Sequence, residues 1–151
     1  MFFADKVLLV EGVSDRILMR GLIDRFYSVN KEIKVVETNG KGSMDVFSDV
    51  LEAFHIPYSI LVDADAWGFW AGSFAARRGW SISRNRAVAA RELFQHGVMI
   101  LPSGTIERYY PQKYQREKKK PLNAMRAASQ ISRAEYQSAF MEPLRRLILS
   151  L

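Results

Sequence analysis

Two short apolar runs of this chain each end in acid. The first, Lys6-Val7-Leu8-Leu9-Val10, leads straight into Glu11-Gly12, with Asp15 four residues past Glu11. The second, Tyr58-Ser59-Ile60-Leu61-Val62, leads into Asp63-Ala64-Asp65. Four carboxylates brought to one place repel one another unless a cation sits among them. Hard oxygen donors without imidazole or thiolate select Mg²⁺ or Mn²⁺, so the pattern reads as a divalent-metal site. The chain has no cysteine, which excludes disulfides and thiolate-bound zinc or iron–sulfur clusters. Its two histidines, His55 and His96, fall at expected helix ends and away from the acids.

For the acids to meet, the runs before them must be neighbouring strands. Both are short, β-branched and apolar without alternation, as in a parallel sheet covered on both faces. Acids placed just after such strands collect at the carboxyl edge of the sheet, where open α/β folds hold their sites. The spacing predicts a helix over 14–27, with Asp15 in its first turn, where an acid also suits the helix dipole. A strand over 33–37 follows, then the turn Asn39-Gly40-Lys41-Gly42-Ser43. Ser43 is expected to cap a helix over 44–54 whose core face is Val46, Phe47, Val50, Leu51 and Phe54. Residues 66–83, rich in Trp, Gly, Phe and Arg, show no clean period and read as a loop or a small excursion; Trp67, Phe69, Trp70, Phe74 and Trp80 there could stack on bases or cover the core. A helix over 83–96 ends at Gly97, a strand over 98–101 follows, and 111–120 reads as a basic loop. Pro121 opens a helix, and Ser132-x-x-Glu135 is a capping box for a last helix through Ile148. The order β-α-β-α-β-α-β-α predicts an α/β fold: a mostly parallel central sheet with helices on both faces, plus C-terminal helices.

Strand-Glu11-Gly12-x-x-Asp15 paired with strand-Asp63-x-Asp65 resembles the Toprim domain, shared by topoisomerases, DnaG-type primases and the OLD (overcoming lysogenization defect) nucleases. The resemblance is closest to the OLD group. Phe3-Ala4-Asp5-Lys6 leads into the first strand, Asn39-Gly40-Lys41-Gly42 precedes the second helix, and Ser103-Gly104-Thr105-Ile106-Glu107-Arg108-Tyr109 follows a later strand. It spans residues 3–125 and implies a Toprim catalytic domain over 1–125, with 126–151 a helical extension packed on it. It further implies that Glu11, Asp63 and Asp65 carry a metal ion, Glu11 being central to catalysis. Asp15 and Glu107 match positions that help build a second metal site. Two such ions can clamp the attacking and leaving oxygens of a phosphodiester displacement. The family has a lysine late in the domain that meets transition-state charge; Lys120 is the best match, with Lys118 and Lys119 competing. The implied activity is Mg²⁺- or Mn²⁺-dependent endonucleolytic hydrolysis of DNA, with RNA open, in the cytoplasm. In OLD nucleases the Toprim domain follows an ABC-type ATPase. This chain has no Gly-x-x-x-x-Gly-Lys-Ser/Thr loop, so an ATPase would be a separate domain or subunit. The alternative is a non-catalytic Toprim module that binds nucleic acid or docks on that ATPase.

Charge points the same way. The chain is formally +6, and residues 77–120 hold eleven Lys/Arg against three Glu. The rest holds eleven basic and thirteen acidic residues. A basic segment beside an acidic metal site suits a polyanion whose phosphates meet both. The expected nucleic-acid contacts are Lys41, between two glycines in a phosphate-cradle-like turn, and Arg84, Arg86, Lys118 and Lys119. No apolar run reaches the ~18 residues a membrane helix needs.

Overall fold

A computed structural model describes residues 4–151; Phe3 of the Phe3-Ala4-Asp5-Lys6 motif lies outside the described residues. Four parallel strands, β1 (Lys6–Val10), β2 (Ile33–Glu37), β3 (Tyr58–Val62) and β4 (Val98–Ile100), form one sheet in the order β2-β1-β3-β4. Val10 lies opposite Leu61, and Val62 opposite Ile100. The chain passes from β1 outward to β2, then returns to place β3 on the other side of β1. The crevice between the carboxyl ends of β1 and β3 is therefore the switch point of the sheet, the place where open α/β folds bind ligands.

Both faces of the sheet are covered, as the continuous apolar strands require. One face joins Leu8, Val10, Val35, Leu61 and Met99 to helices α1 (Val13–Phe26), α5 (Lys120–Gln130) and α7 (Glu142–Leu149). The other joins Val7, Leu9, Ile60, Val62, Val98 and Ile100 to α2 (Met44–Ala53), α3 (Phe69–Arg77) and α4 (Arg86–Gln95). Gly97, just after α4, takes φ +81, and a Cβ there would lie 3.1 Å from the Tyr58 carbonyl oxygen.

The structure departs from the sequence expectations at several elements. Within residues 66–83 a helix forms that the sequence did not show: α3 takes Phe69–Arg77 and buries Trp70, Ala71, Phe74 and Ala75, while 78–83 stay irregular. Its i, i+1, i+4, i+5 stripe is made of aromatics and alanines, and Gly72 beside it blurred the period. The helix expected from residue 83 starts at Arg86, because the Asn85 side chain caps it by accepting from the Ala87 and Val88 amides. The expected core face of α2 is mostly turned to solvent, with Val46, Phe47, Val50 and Phe54 exposed, while Met44 and Ser48 are buried. Met44 and Leu51 are the apolar contacts of α2 with the core of that sheet face. Ser43 makes no side-chain cap. The Ser132–Glu135 capping box forms, but its helix α6 stops after Arg133–Tyr136. A 3₁₀ turn over Ala139–Met141 follows, and α7 begins at Glu142 with Pro143 in its first turn, where its missing N–H is tolerated.

Helix α1 meets α5 at Gly21. A Cβ there would collide with the Ala128 methyl and stand 3.2 Å from Ala128 Cα and 3.3 Å from its carbonyl oxygen. Backbone cannot yield as a side-chain tip can, so crowding should outweigh the ~1 kcal/mol of helix propensity a larger residue gains over glycine. Gly21→Val should lower unfolding free energy by about 1–3 kcal/mol, read as a lower urea midpoint at unchanged m-value. Ala128→Gly in the same chain should recover part of the loss.

Candidate metal centre

Each acid is delivered by backbone that is itself tied down. Glu11 follows β1, and its Oε1 accepts the Asp63 amide N–H at 2.8 Å, linking the carboxyl ends of the two central strands. The Glu11 carbonyl accepts from the Gly40 amide at 2.9 Å. Gly40, at φ +109, opens the turn that carries Lys41. Buried Thr38 donates its hydroxyl to the Val10 carbonyl at 3.2 Å and to the Gly40 carbonyl at 3.0 Å. Asp15, in the first turn of α1, reaches back so that its Oδ2 accepts the Gly12 amide at 3.1 Å. Between the two aspartates after β3, the Ala64 amide donates to the Gly104 carbonyl at 2.9 Å, holding the Asp63-Ala64-Asp65 turn against the loop after β4. That loop continues into a 3₁₀ turn, Ile106–Tyr109, which presents Glu107.

Glu11, Asp15, Asp63, Glu107 and Lys120 line one cavity of about 290 Å³, closed by Gly12, Val13, Ser14 and Gly40. Negative charge is poorly compensated there. Burial, with Asp63, Glu107 and Glu11 nearby, pushes the Asp15 carboxyl up to about 7. Burial and then Glu11, Glu107 and Asp65 push Asp63 up to about 6. Glu107 moves the other way: burial opposes it, but the Thr105 hydroxyl and Lys120 hold it below the usual carboxylate range. The Lys120 Nζ lies 3.2 Å from Glu107 Oε1 and is largely exposed. Tyr110, buried beside these acids, is pushed up to about 12 by burial, Glu107 and Asp15, and its hydroxyl has no hydrogen-bond partner among the described residues.

Asp65 points away from the cavity. Its two oxygens each lie 2.7 Å from Lys41 Nζ, which also stands 3.6 Å from Glu11 Oε2. Lys41, expected as a phosphate contact, is thus paired inside the acid group. Among the described residues no three acids converge closely enough to form a ready ligand set. By donor type the residues fit a hard divalent ion. Four carboxylates line the cavity, and the raised Asp15 and Asp63 record the charge that such an ion would neutralise.

The basic residues do not form one free patch. Arg78 is nearly buried over the Phe74 ring and paired with Asp45, Asp49 and Glu52. Arg77 pairs with Asp45, and Lys113 with Glu135. Arg86 donates to the Pro102 carbonyl at 3.1 Å and lies over Trp67, on the loop side of β4. Arg84, Lys118 and Lys119 are exposed, the lysines directly preceding Lys120. Trp70 and Phe74 belong to the core, whereas Phe69 is exposed. Sequence reasoning missed the Lys41–Asp65 pair and Tyr110. Opposite charges 24 residues apart, and one tyrosine among six, give no local signal.

Residues 2–65 match the family described as overcoming lysogenization defect protein-like, TOPRIM domain. Across 99% of its length the chain is similar in structure to the C-terminal region of the Xanthomonas campestris pv. campestris OLD protein, with TM-score 0.69, 16% identity and 97% of that chain covered. It is similar likewise to the C-terminal region of the Burkholderia pseudomallei OLD protein, with TM-score 0.71, 12% identity and 98% of that chain covered. At these identities the structures speak for the fold. No curated protein matches the chain. No helix among the described residues is long and apolar enough to cross a membrane.

The raised Asp15 carboxyl sets a pH dependence. Its folded-state pKa lies above the unfolded value, so between about pH 4 and pH 7 the fold holds a proton that the unfolded chain has lost. This group's contribution is therefore full below pH 4 and declines as pH rises to about 7. Asn can keep the Gly12 hydrogen bond without the charge. In EDTA, Asp15→Asn should match wild type near the unfolded value of about 3.8 and below. By pH 8 it should be more stable, by on the order of 2 kcal/mol after solvent screening, measured as unfolding midpoints across pH.

Proposed function

We propose that this chain, which carries an OLD-like TOPRIM domain, is a metal-dependent endonuclease acting on DNA. The observation that supports it most is the single cavity at the β1/β3 switch point, with four carboxylates and one lysine, Lys120, on its wall. Phosphodiesters are anionic and slow to hydrolyse, so a catalyst must neutralise charge on both sides of phosphorus. Bound Mg²⁺ or Mn²⁺, two ions on this reading, would supply Lewis acidity at the phosphate and at the attacking water.

The chain's own residues would divide the remaining work. Glu11, Asp63 and Asp65 would hold one ion, and Asp15 with Glu107 the second. Glu11 can do this without giving up its strand tie, because Oε1 alone takes the Asp63 amide. Asp65 is exposed and can turn inward. Lys120, tethered only to Glu107 and mostly in solvent, can follow the phosphate as charge builds on it. Arg84, Arg86, Lys118 and Lys119 would meet the backbone on either side without reading bases. An ABC-type ATPase would be the partner that delivers or gates the substrate. One observation favours a second reading, a binding module without catalysis: Lys41 already neutralises part of the acid group, and the acids are not gathered.

Nicking of supercoiled plasmid separates the two. Wild type should nick with Mg²⁺ or Mn²⁺ and stop in EDTA. Glu11→Ala should abolish nicking yet keep salt-sensitive DNA binding, since Glu11 faces the ions and not the phosphates. Lys120→Ala should cut the rate by about 10–100-fold with a smaller change in affinity. Wild-type nicking in Glu11→Ala would refute the enzyme reading. Glutamate at Arg84, Arg86 and Lys118 together should weaken binding to random duplex DNA and flatten its salt dependence by about 3 in log–log slope. Unchanged binding would make these residues a solvated surface only.

A further inference from the structure

We infer that the Lys41 ammonium is the built-in counter-ion of this site: it bridges Glu11 and Asp65 while no divalent ion is bound, and yields its place when one arrives. The inference rests on the metal reading proposed above and deepens it. The ammonium faces both Asp65 oxygens at 2.7 Å and Glu11 Oε2 at 3.6 Å. Those are the carboxylate oxygens a cation shared by Glu11 and Asp65 would use, Glu11 Oε1 being committed to the Asp63 amide. An ammonium and a divalent ion cannot both sit there, because each repels the other and both need the same lone pairs.

The local build allows the exchange without moving the backbone. The Lys41 carbonyl accepts the indole N–H of Trp70 at 3.2 Å, and Trp70 is packed in the core. The Gly40 amide is held by the Glu11 carbonyl at 2.9 Å. Around Gly40 and Gly42 a Cβ would meet nothing within 4 Å, so the turn borders open space. What is free is the four-carbon lysine stem, with its compact and strongly hydrated charge. Without this ammonium, Glu11 and Asp65 would add two bare charges beside a cavity wall that already carries Asp15, Asp63 and Glu107. Lys41 therefore offsets the charge of Glu11 and Asp65 in the metal-free protein, at the expense of ion affinity. Once displaced, it becomes a mobile cation beside the incoming phosphodiester, which is how a Gly-Lys-Gly turn can serve phosphate without cradling it at rest.

The experiment follows the lysine itself. In ¹⁵N-lysine-labelled protein, the Lys41 ammonium ¹H–¹⁵N signal, assigned by its loss in Lys41→Arg, should shift during a Mg²⁺ titration. Its midpoint should equal that of calorimetric Mg²⁺ binding. Lys41→Met should melt lower than wild type in EDTA, match it in saturating Mn²⁺, and bind Mn²⁺ roughly five- to tenfold more tightly, as loss of a competing ion pair of ordinary strength requires. Lys41→Gln serves as the second variant if Met misfolds. Mg²⁺ binding with an unmoved Lys41 signal, or weaker Mn²⁺ binding by both variants, would overturn the inference while leaving the metal site standing. Absence of ion binding by wild type and variants alike would instead overturn the metal reading, and the displacement with it.

Discussion

The hydrogen bond from the Asp63 amide to Glu11 ties the ends of β1 and β3, and the rest of the site depends on that tie. It uses one glutamate oxygen as a structural acceptor and leaves the other for charge. It also fixes where the Asp63-Ala64-Asp65 turn begins. Parallel strands in fixed register have no freedom to adjust this distance, since Val10 is locked opposite Leu61 and Val62 opposite Ile100. The sheet therefore sets the spacing of the acids, and the surrounding amides of Gly12, Gly40 and Ala64 set their directions.

The consequence is a group of acids held in place against their own repulsion. In a flexible surface loop these carboxylates would drift apart into water. Here backbone donors and burial prevent that, and the cost appears as raised proton affinity at Asp15 and Asp63. The two lysines at the edges are spent differently. Lys120 balances Glu107 from solvent. Lys41 is drawn in between Glu11 and Asp65. Crowded acids, a movable cation and an exposed cation are the ingredients for handling a phosphate that must be neutralised from two sides.

Much of the formal positive charge serves the fold. Arg78 lies over Phe74 and gathers Asp45, Asp49 and Glu52, pinning α2 to the end of α3. Such a buried guanidinium satisfies several acids at once because its donors are fixed in a plane. What is left for a polyanion is smaller than the charge count suggests, and includes Arg84 and Arg86 near the start of α4 and Lys118 to Lys120 at the start of α5, with Arg91, Arg108 and Arg116 also exposed.

By itself the sequence determined the strands, their parallel direction and the acids at their ends. These follow from local patterns: unbroken β-branched runs, a Gly after the first acid, and an Asp-x-Asp after the second. The family resemblance rested on the same residues. Tertiary structure alone decided the rest. Whether the apolar stripe of α2 faces in or out depends on which side the sheet and α3 already fill, and the hydrophobic period reads the same either way. The α3 helix stayed hidden because Gly72 and the exposed Phe69 beside its buried face of Trp, Phe and Ala blur the apolar period. Lys41 read as a phosphate-binding turn residue until folding brought Asp65 within 2.7 Å of it. Pairing of charges distant in sequence is set by distance in space, and that distance exists only once the sheet has formed.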